Sequence, residues 1–428
     1  MSHIREHVLN HDLFCHHDHH RSYQEFDAER EEYDFRHVLG YASADLVTAA
    51  GTVTPRGPVT REEVERYWPK MRLTGYGRAV TLTARELFGL DYDPANFDAI
   101  TAALQDSIRG RSAPEVYDYF VHERARNRWT IQDGKFRCST TALEPGTHPE
   151  SYRFAFRFDE VTYLADAGPI QTLECFLGHP VYTLDEMVQG INEAIDRFRE
   201  TGKLAAIKIG MAYSRDLAVL DPTRAEAEAA FNRIRTRKAF WGGVQQNNAA
   251  VNAPEARALG DYLFHALVQR AADEDLPVQI HTGYLAGNWG SLAGTKALHL
   301  VPVLEKYRSV RFDLFHASWP WASELGAIAK NYPNVWVDMC WAWTMNPAES
   351  ERALSEWLDA VPFNKIFAYG ADTGLPWSNV GYSLQAKIGI ARVLEQKIDA
   401  GYMDEATARE VASAIMLENG EEFYGLAG

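Results

Sequence analysis

The second half of the chain alternates between amphipathic segments and short apolar runs. Apolar residues recur at helical spacing over 183–200, where Thr183 and Glu186 form the sequence signature of a helix-capping box. The run KLAAIKI at 203–209 follows and is typical of a buried strand. The same pairing recurs, with predicted helices at 254–274, 295–307, 321–331 and 348–360 and predicted strands at 277–281, 310–316, 334–341 and 365–372. This alternation predicts right-handed βαβ units and a parallel sheet.

The first half of the chain is less regular. Apolar segments at 11–17, 126–133 and 151–159 are further strand candidates and bring the predicted strands to eight. Eight parallel strands with helices between them close into a barrel. The stretch 21–125 is too long for one crossover, and it carries helical patterns near 60–70, 82–88 and 95–109. We therefore predict an α/β fold, a TIM (β/α)8 barrel formed by residues 1–428 as one domain, with a large helical insertion after strand 1.

Composition and charge narrow the class of protein. The 428 residues are 46% hydrophobic and carry a formal net charge of −16, which excludes nucleic acid as the main partner because no basic face would release counterions. The cysteines contain no C-x-x-C pair, which predicts reduced thiols rather than a disulfide framework. The sequence shows neither a bilayer-spanning apolar run nor a secretory signal, so we expect a cytoplasmic protein without a membrane partner.

The most unusual segment is the run HHDHH at 16–20. Within it, His17 and His19 are two residues apart, so on a strand both imidazoles point to the same face. Three other predicted strands end in a side chain that can bind metal, namely His281, His316 and Asp372. Barrel enzymes build their sites at the carboxyl ends of the strands, so one shared site explains these positions together. If each feature is considered alone, the alternatives are a solvated loop for the run at 16–20, satisfied core positions for His281 and His316, and a helix cap for Asp372.

These residue types point to a divalent cation. Histidine and carboxylate ligands suit a borderline ion such as zinc with an open position for water or substrate. The predicted ligands are His17, His19, His281 and Asp372. Such an ion would lower the pKa of a bound water enough to form hydroxide near neutral pH. Asp372 would ligate the ion or accept a proton, and His316 would orient a substrate oxygen or shuttle a proton.

Several other residues are candidates for the same site. Lys208 lies inside the apolar run LAAIKIG, where a charge is costly to bury unless it is paired or functional. It would bind a substrate anion, act as a base or, if carbamylated, bridge two ions; the alternative is a lysine that reaches solvent. Arg157 is a candidate for binding an anionic substrate. Trp319 and Trp377 are candidates for contacting a ring-bearing substrate, with loop packing as the alternative.

The order of these motifs resembles the amidohydrolase superfamily. The segments PVQIHTG, FDLFHAS and FAYGADTGLP resemble strand motifs of its amidohydrolase-2 branch, as does the closing segment MLENGEEFYGL. In that segment Glu421 and Glu422 replace an Ala and an Arg of the pattern, and Cys15 stands where many relatives carry Asp. The resemblance implies a metal-dependent barrel enzyme, usually a hydrolase, and assembly into homo-oligomers.

A second resemblance is to uronate isomerases, which belong to the same superfamily. It rests on the long insertion, on the acidic end of RWTIQD, and on SYRFAFRFD, where Arg157 and Asp159 match an FRPD-like third strand but Phe158 replaces the Pro. The eighth strand ends in ADTGLPW rather than in Asp-Ser-Arg. The insertion, Cys15 and the Trp-rich loops favour one metal ion per chain over a lysine-bridged pair.

The sequence therefore predicts a metal-dependent hydrolase that acts on a small polar substrate, anionic or sugar-derived, with a metal-activated water. The alternative is an aldose–ketose isomerase of a sugar acid. A non-catalytic metal-binding or scaffold protein is disfavoured, because a structural metal normally has a closed ligand set. The expected partners are a small-molecule substrate and further copies of the chain.

Overall fold

The computed structural model describes residues 2–51, 59–138, 146–238 and 250–426. Its centre is a sheet of eight parallel strands that pair in the order of the sequence. The strands are β1 Leu13–Asp18, β2 Asn127–Lys135, β3 Tyr152–Arg157, β4 Leu204–Ile209, β5 Val278–Ile280, β6 Phe312–Leu314, β7 Val335–Asp338 and β8 Ile366–Phe367. Each lies within or overlaps a segment that the sequence predicts as a strand.

The sheet closes on itself between β1 and the segment that follows β8. The Asp372 N–H donates to the His17 carbonyl at 2.9 Å, and the His19 N–H donates to the Thr373 carbonyl at 3.0 Å. A closed sheet of parallel strands with helices outside is a TIM (β/α)8 barrel, which confirms the predicted fold class.

Helices surround the barrel and fill the long connection after β1. Their bounds are α1 His3–Asn10, α2 Tyr23–Glu29, α3 Ala42–Ala50, α4 Arg61–Met71, α5 Gly75–Phe88, α6 Phe97–Ile108, α7 Ala113–Tyr117, α8 Gly168–Leu177, α9 Leu184–Glu200, α10 Arg224–Ile234, α11 Pro254–Asp273, α12 Val301–Lys306, α13 Ala322–Asn331, α14 Ala342–Met345, α15 Pro347–Ala360, α16 Ser378–Asp399, α17 Glu405–Ser413 and α18 Asn419–Phe423. No helix in the described ranges combines the length and apolar character needed to cross a bilayer.

Local sequence signals explain where two of these helices begin. The predicted capping box opens α9, where the Thr183 Oγ1 accepts from the Glu186 N–H and the Glu186 carboxylate accepts from the Thr183 N–H. The predicted helix at 295–307 is shorter than expected. Two 3-10 turns precede it, and a proline lies in the first turn of α12, where its missing N–H is tolerated.

The insertion after β1 has an apolar core of its own. Its helices α2 to α7 bury aromatic and aliphatic side chains against one another, and Trp341 and Trp377 from the loops after β7 and β8 join that cluster. The ring centroid of Trp377 lies 4.9 Å from that of Tyr33, and the ring centroid of Trp341 lies 4.9 Å from that of Tyr41. The insertion therefore packs against the loops at the carboxyl ends of the strands.

Two of the four cysteines are joined. Cys138, after β2, and Cys175, in α8, form a disulfide with a Cα–Cα distance of 5.3 Å, so the expectation of reduced thiols was wrong for this pair. Cys15 and Cys340 are free and buried. The pairing depends on α8 lying beside the segment that follows β2, where the ring centroids of Phe136 and Phe176 are 4.9 Å apart. The spacing of cysteines along the sequence does not reveal this contact.

Candidate metal centre

Four strands bring the predicted metal ligands and His316, predicted as a catalytic residue, to one mouth of the barrel. His17 lies in β1 and His19 follows it, while His281, His316 and Asp372 follow β5, β6 and β8. His316 and Asp372 take positive φ values of 66° and 53°. Such values are uncommon outside glycine and cluster at functional sites, where the surrounding structure holds the strain.

A bulge in β1 between Cys15 and Asp18 contains His17, the first histidine of the H-x-H pair. Cys15 pairs with Thr130 and Asp18 pairs with Gln132, so β1 advances three residues where β2 advances two. Bulges re-aim side chains within a strand. The imidazole rings of His17 and His19 are neighbours, as the spacing predicted, and they meet edge to face with their centroids 4.7 Å apart.

His19 connects two carboxylates. Its Nδ1 lies 2.9 Å from Asp133 Oδ2, and its Nε2 lies 2.9 Å from Asp372 Oδ1. Burial alone would lower the pKa of His19, but the two carboxylates outweigh burial and raise that pKa to about 9. Burial alone would raise the pKa of Asp372, yet the hydrogen bond and the positive charge of His19 hold it well below the usual range. Asp372 is therefore a carboxylate at neutral pH.

His281 and His316 face each other through nitrogens that carry lone pairs. A carbonyl oxygen only accepts, so His281 Nε2–H donates to the Tyr284 carbonyl at 2.8 Å and His316 Nδ1–H donates to the Cys340 carbonyl at 2.9 Å. Burial lowers the pKa of His316 to about 4 and that of His281 well below its usual value, so both rings are neutral at neutral pH. The remaining nitrogens, His281 Nδ1 and His316 Nε2, lie 2.9 Å apart.

This donor set fits a divalent cation. Two lone pairs at that distance repel each other unless a positive charge lies between them. Ligand atoms at the usual distance from a tetrahedral zinc ion are about 3.3 Å apart, close to the separations seen here. His316 Nε2 also lies 3.7 Å from Asp372 Oδ2. This contact connects the pair His281–His316 with the pair His19–Asp372. The buried Nδ1 of His17 has no hydrogen-bond partner among the residues described.

Asp133, the acidic end of RWTIQD, is a site residue that was not among the predicted ligands. The candidate ligand atoms of His17, His19 and Asp133 all lie within 4.8 Å of one another. The predicted strand 126–133 ends at Asp133, and β2 continues for two residues beyond it. Its place at the carboxyl end of a predicted strand, like that of Asp372, was the signal that could have marked it as a candidate ligand.

Arg157 is held by two carboxylates. Its Nη1 donates to Asp133 Oδ2 at 2.7 Å and its Nε donates to Asp159 Oδ1 at 3.1 Å, with 18% of the side chain exposed. These bonds use two of the five N–H donors of the guanidinium. Arg157 therefore holds Asp133 in place, and its contact with an anionic substrate stays a prediction.

Lys208 lies beside the mouth without a hydrogen-bond partner in the described part of the chain. Its Nζ is 3.4 Å from the centroid of the Phe315 ring. Burial lowers the pKa of Lys208 to about 8, although the charge of Asp372 acts in the opposite direction. A desolvated amine of this kind is available to an anionic group.

The two predicted substrate-binding tryptophans lie in different environments. Trp319 follows β6, is half-buried, and packs against Tyr284 with ring centroids 5.0 Å apart. Trp377 is 0% exposed, and its Nε1–H donates to the His37 carbonyl at 3.0 Å. Because the core of the insertion encloses it, Trp377 is removed from the predicted substrate-binding set, whereas Trp319 stays in it.

Sequence comparison links the chain to known proteins. A profile described as amidohydrolase matches residues 191–426, which is more than half of the chain. The protein fluG of Emericella nidulans is 27% identical over 197 residues. That match covers 42% of this chain and 22% of fluG, so the chain spans less than a quarter of the length of that curated relative.

Solved structures share the fold at low sequence identity. A uronate isomerase from Thermotoga maritima is 13% identical with a TM-score of 0.79, covering 98% of this chain and 96% of that one. A glucuronate isomerase from Caulobacter crescentus is 16% identical with a TM-score of 0.75. The match covers 99% of this chain and 93% of the isomerase. A protein from Lactobacillus casei assigned as a metal-dependent hydrolase is 15% identical with a TM-score of 0.67, covering 99% and 98%. These likenesses concern the fold alone.

Proposed function

Because the chain belongs to the amidohydrolase family, we propose that it is a metal-dependent hydrolase acting on a small polar substrate, anionic or sugar-derived. The observation that carries the proposal is the pair of neutral imidazoles, His281 and His316, whose lone pairs meet at 2.9 Å beside the ionised Asp372. Paired imidazoles and a carboxylate are the ligands of metal ions that activate water.

The proposed ligands are His17, His19, His281 and Asp372, and the lone pair of His316 Nε2 adds a fifth candidate. For His19 this role requires loss of the proton that its two carboxylate contacts stabilise. We propose zinc, with one ion per chain at this mouth, because neutral imidazole and carboxylate suit it. When bound, the ion supplies a water of lowered pKa and polarises a substrate oxygen.

Asp372 is the proposed general base. As a buried carboxylate it accepts a proton from the attacking water and returns it to the leaving group. His316 takes a different role from the one predicted. Its Nδ1–H is bonded to the Cys340 carbonyl and its Nε2 carries a lone pair, so the neutral ring has no free N–H to donate to a substrate oxygen. We therefore propose His316 as a ligand.

Lys208 and Trp319 are the proposed substrate contacts. Lys208 Nζ has no hydrogen-bond partner among the described side and main chains and is fully buried, so an anionic substrate group would replace its lost solvation. Trp319 offers a half-buried ring after β6. Together they favour a substrate with an acidic group and an apolar or sugar-like face.

A second candidate function is aldose–ketose isomerisation of a sugar acid. The observation that favours it is the likeness to the Thermotoga maritima uronate isomerase over 98% of this chain, which includes the helical insertion. Asp372 would then move a proton between neighbouring carbons, and Lys208 would hold the substrate carboxylate.

Isotope incorporation separates the two reactions. We expect that a panel of lactones, amides and uronates contains a substrate that gains one solvent oxygen in H₂¹⁸O and no carbon-bound deuterium in D₂O. Mass spectrometry measures both labels. Aldehydes exchange their oxygen with water without a catalyst, so reactions without enzyme are the control. For sugar substrates, the deuterium measurement distinguishes hydrolysis from isomerisation. Deuterium on carbon in a uronate product, with no hydrolytic turnover, would contradict the hydrolase proposal.

Replacing Arg157 with Met should weaken metal binding by about 10–100-fold, the usual effect of losing a group that orients a ligand. Without the guanidinium, Asp133 loses a fixed orientation, and with it His19 loses the partner of its Nδ1. Titration with a chromogenic chelator measures the affinity. The matched control is Arg153→Met in the same strand, because Arg153 packs over Trp129 instead. Equal affinities in the two folded variants would contradict the assignment.

A further inference from the structure

The lumen of the barrel contains a second polar cluster. It consists of His16 in β1, Asp313 in β6 and Asp338 in β7, and each of these residues is at most 1% exposed. The ring of His16 stacks on Phe367 with centroids 4.1 Å apart and lies 4.6 Å from Phe14. Bulky apolar side chains normally fill the interior of such barrels, so two acids and a histidine there require a physical explanation.

The three side chains converge on one point. Their candidate ligand atoms all lie within 4.8 Å of one another, and His16 Nδ1 is 3.9 Å from Asp338 Oδ2. Within the described residues, three of their atoms have no hydrogen-bond partner, namely His16 Nδ1, Asp313 Oδ1 and Asp338 Oδ2. Each side chain thus contributes one unpartnered atom to a space enclosed by the lumen.

The other oxygen of each carboxylate is already bonded. Asp313 Oδ2 accepts from the Tyr424 hydroxyl at 2.8 Å, and Asp338 Oδ1 accepts from the Cys340 N–H at 2.6 Å. These bonds fix both carboxyl groups, and the donor that remains for their second oxygens is a proton shared between the two acids.

Electrostatics limits the negative charge that this cluster can carry. Burial raises the pKa of Asp313 to about 7 and that of Asp338 well above its usual value, and a hydrogen bond links the two groups, so without a cation they share a proton. Burying both as ionised carboxylates without a partner would be strongly unfavourable. The charge of Lys208 acts favourably on both Asp313 and Asp338. One ammonium does not balance two carboxylates, whereas a divalent cation does.

We propose that His16, Asp313 and Asp338 bind a second divalent cation inside the barrel, separate from the ion at the mouth. One imidazole and two carboxylates suit a borderline ion such as zinc or manganese. Gln279 offers a fourth oxygen. It pairs in register with Asp313, and its Nε2 donates to the His16 carbonyl and the Tyr424 hydroxyl while its Oε1 has no partner among the described atoms.

The role of this ion is structural. Its ligands come from β1, β6 and β7, so the ion ties together strands that are far apart in the sequence. A set of protein ligands with no open position is typical of structural sites rather than catalytic ones. The inference does not depend on the proposed hydrolase activity, because it uses none of the proposed ligands of the mouth.

Metal content in two sets of variants tests the proposal. The wild-type chain should retain about two ions after dialysis, one at the mouth and one in the lumen, as closed ligand sets hold zinc tightly. The double variant His281→Asn/Asp372→Asn should retain about one ion, and adding Asp313→Asn/Asp338→Asn should remove it. Elemental mass spectrometry measures the ions per chain. The matched control, Asp221→Asn/Asp359→Asn, changes two exposed acids and should keep both ions.

The decisive measurement is the metal content of the double variant His281→Asn/Asp372→Asn, called the mouth variant, because its substitutions leave the lumen residues unchanged. When cobalt replaces the lumen ion of the mouth variant, the bound cobalt should give a visible absorption band. Removing the lumen ion with a strong chelator should lower the Tm of this variant. A folded mouth variant that holds no metal would overturn the proposal and would mean that protons neutralise the carboxylates. One ion in both the wild type and the mouth variant would support the lumen site while contradicting the mouth site. If the variant that also carries Asp313→Asn/Asp338→Asn does not fold, the metal contents of the wild type and of the mouth variant still test the proposal.

Discussion

Replacing Asp372 with Asn should lower kcat/KM by about 10²–10⁴-fold, the usual contribution of a general base. The amide has nearly the shape of the carboxylate but cannot accept the proton. In the structure Asp372 is buried, lies 2.9 Å from His19 Nε2 and is held in its ionised form by that contact. Steady-state kinetics on the substrate found by isotope labelling measures the effect, and circular dichroism establishes that the variant is folded.

The control for this prediction is Asp221→Asn. Asp221 has a 72% exposed side chain and pairs with Lys306 at 2.7 Å on the surface, so the same change of atoms should leave kcat/KM unchanged. If Asp372→Asn kept more than half of the wild-type kcat with its metal in place, Asp372 would not be the base. Measuring metal content beside the rate separates loss of the proton acceptor from loss of the ion.

Replacing Trp377 with Ala should destabilise the protein by about 3–5 kcal/mol, as is typical when a large aromatic residue is removed from a core. The Trp377 ring is 0% exposed and packs against Tyr33, Phe120 and Phe26 at centroid distances of 4.9, 6.0 and 6.4 Å. It links the loop after β8 to the helical insertion. Denaturant unfolding measures the change in the free energy of unfolding.

The matched control is Trp289→Ala, because Trp289 is 74% exposed and should cost little stability when removed. A second variant, Trp377→Phe, tests the sequence-based hypothesis of a substrate contact. It should keep the wild-type KM, since the ring lies within the insertion core. A KM that rises in Trp377→Phe, or equal stabilities of the two alanine variants, would contradict the assignment of Trp377 to the core.

The sequence alone determined the barrel and much of its mouth. Alternation of apolar runs such as KLAAIKI with amphipathic helices is a local property, so it predicted the strands and their parallel order without any knowledge of contacts. The H-x-H spacing placed His17 and His19 side by side, and the rule that strand ends converge placed Asp372 near them. Both expectations follow from geometry that every barrel of this type shares.

Other features depend on which side chains meet after the barrel has closed. Arg157 proved to hold Asp133, and Trp377 proved to be core, because each finds its partners on an element that its own sequence neighbourhood does not specify. The same is true of the Cys138–Cys175 disulfide.

Asp313 is part of the predicted strand VRFDLFH, but only closure of the barrel brings its ligand atom within 4.8 Å of those of His16 and Asp338. The tautomers of His281 and His316 follow from carbonyls supplied by other loops. Sequence period fixes the face on which a side chain lies, whereas its partners, charge state and chemistry depend on the closed three-dimensional packing.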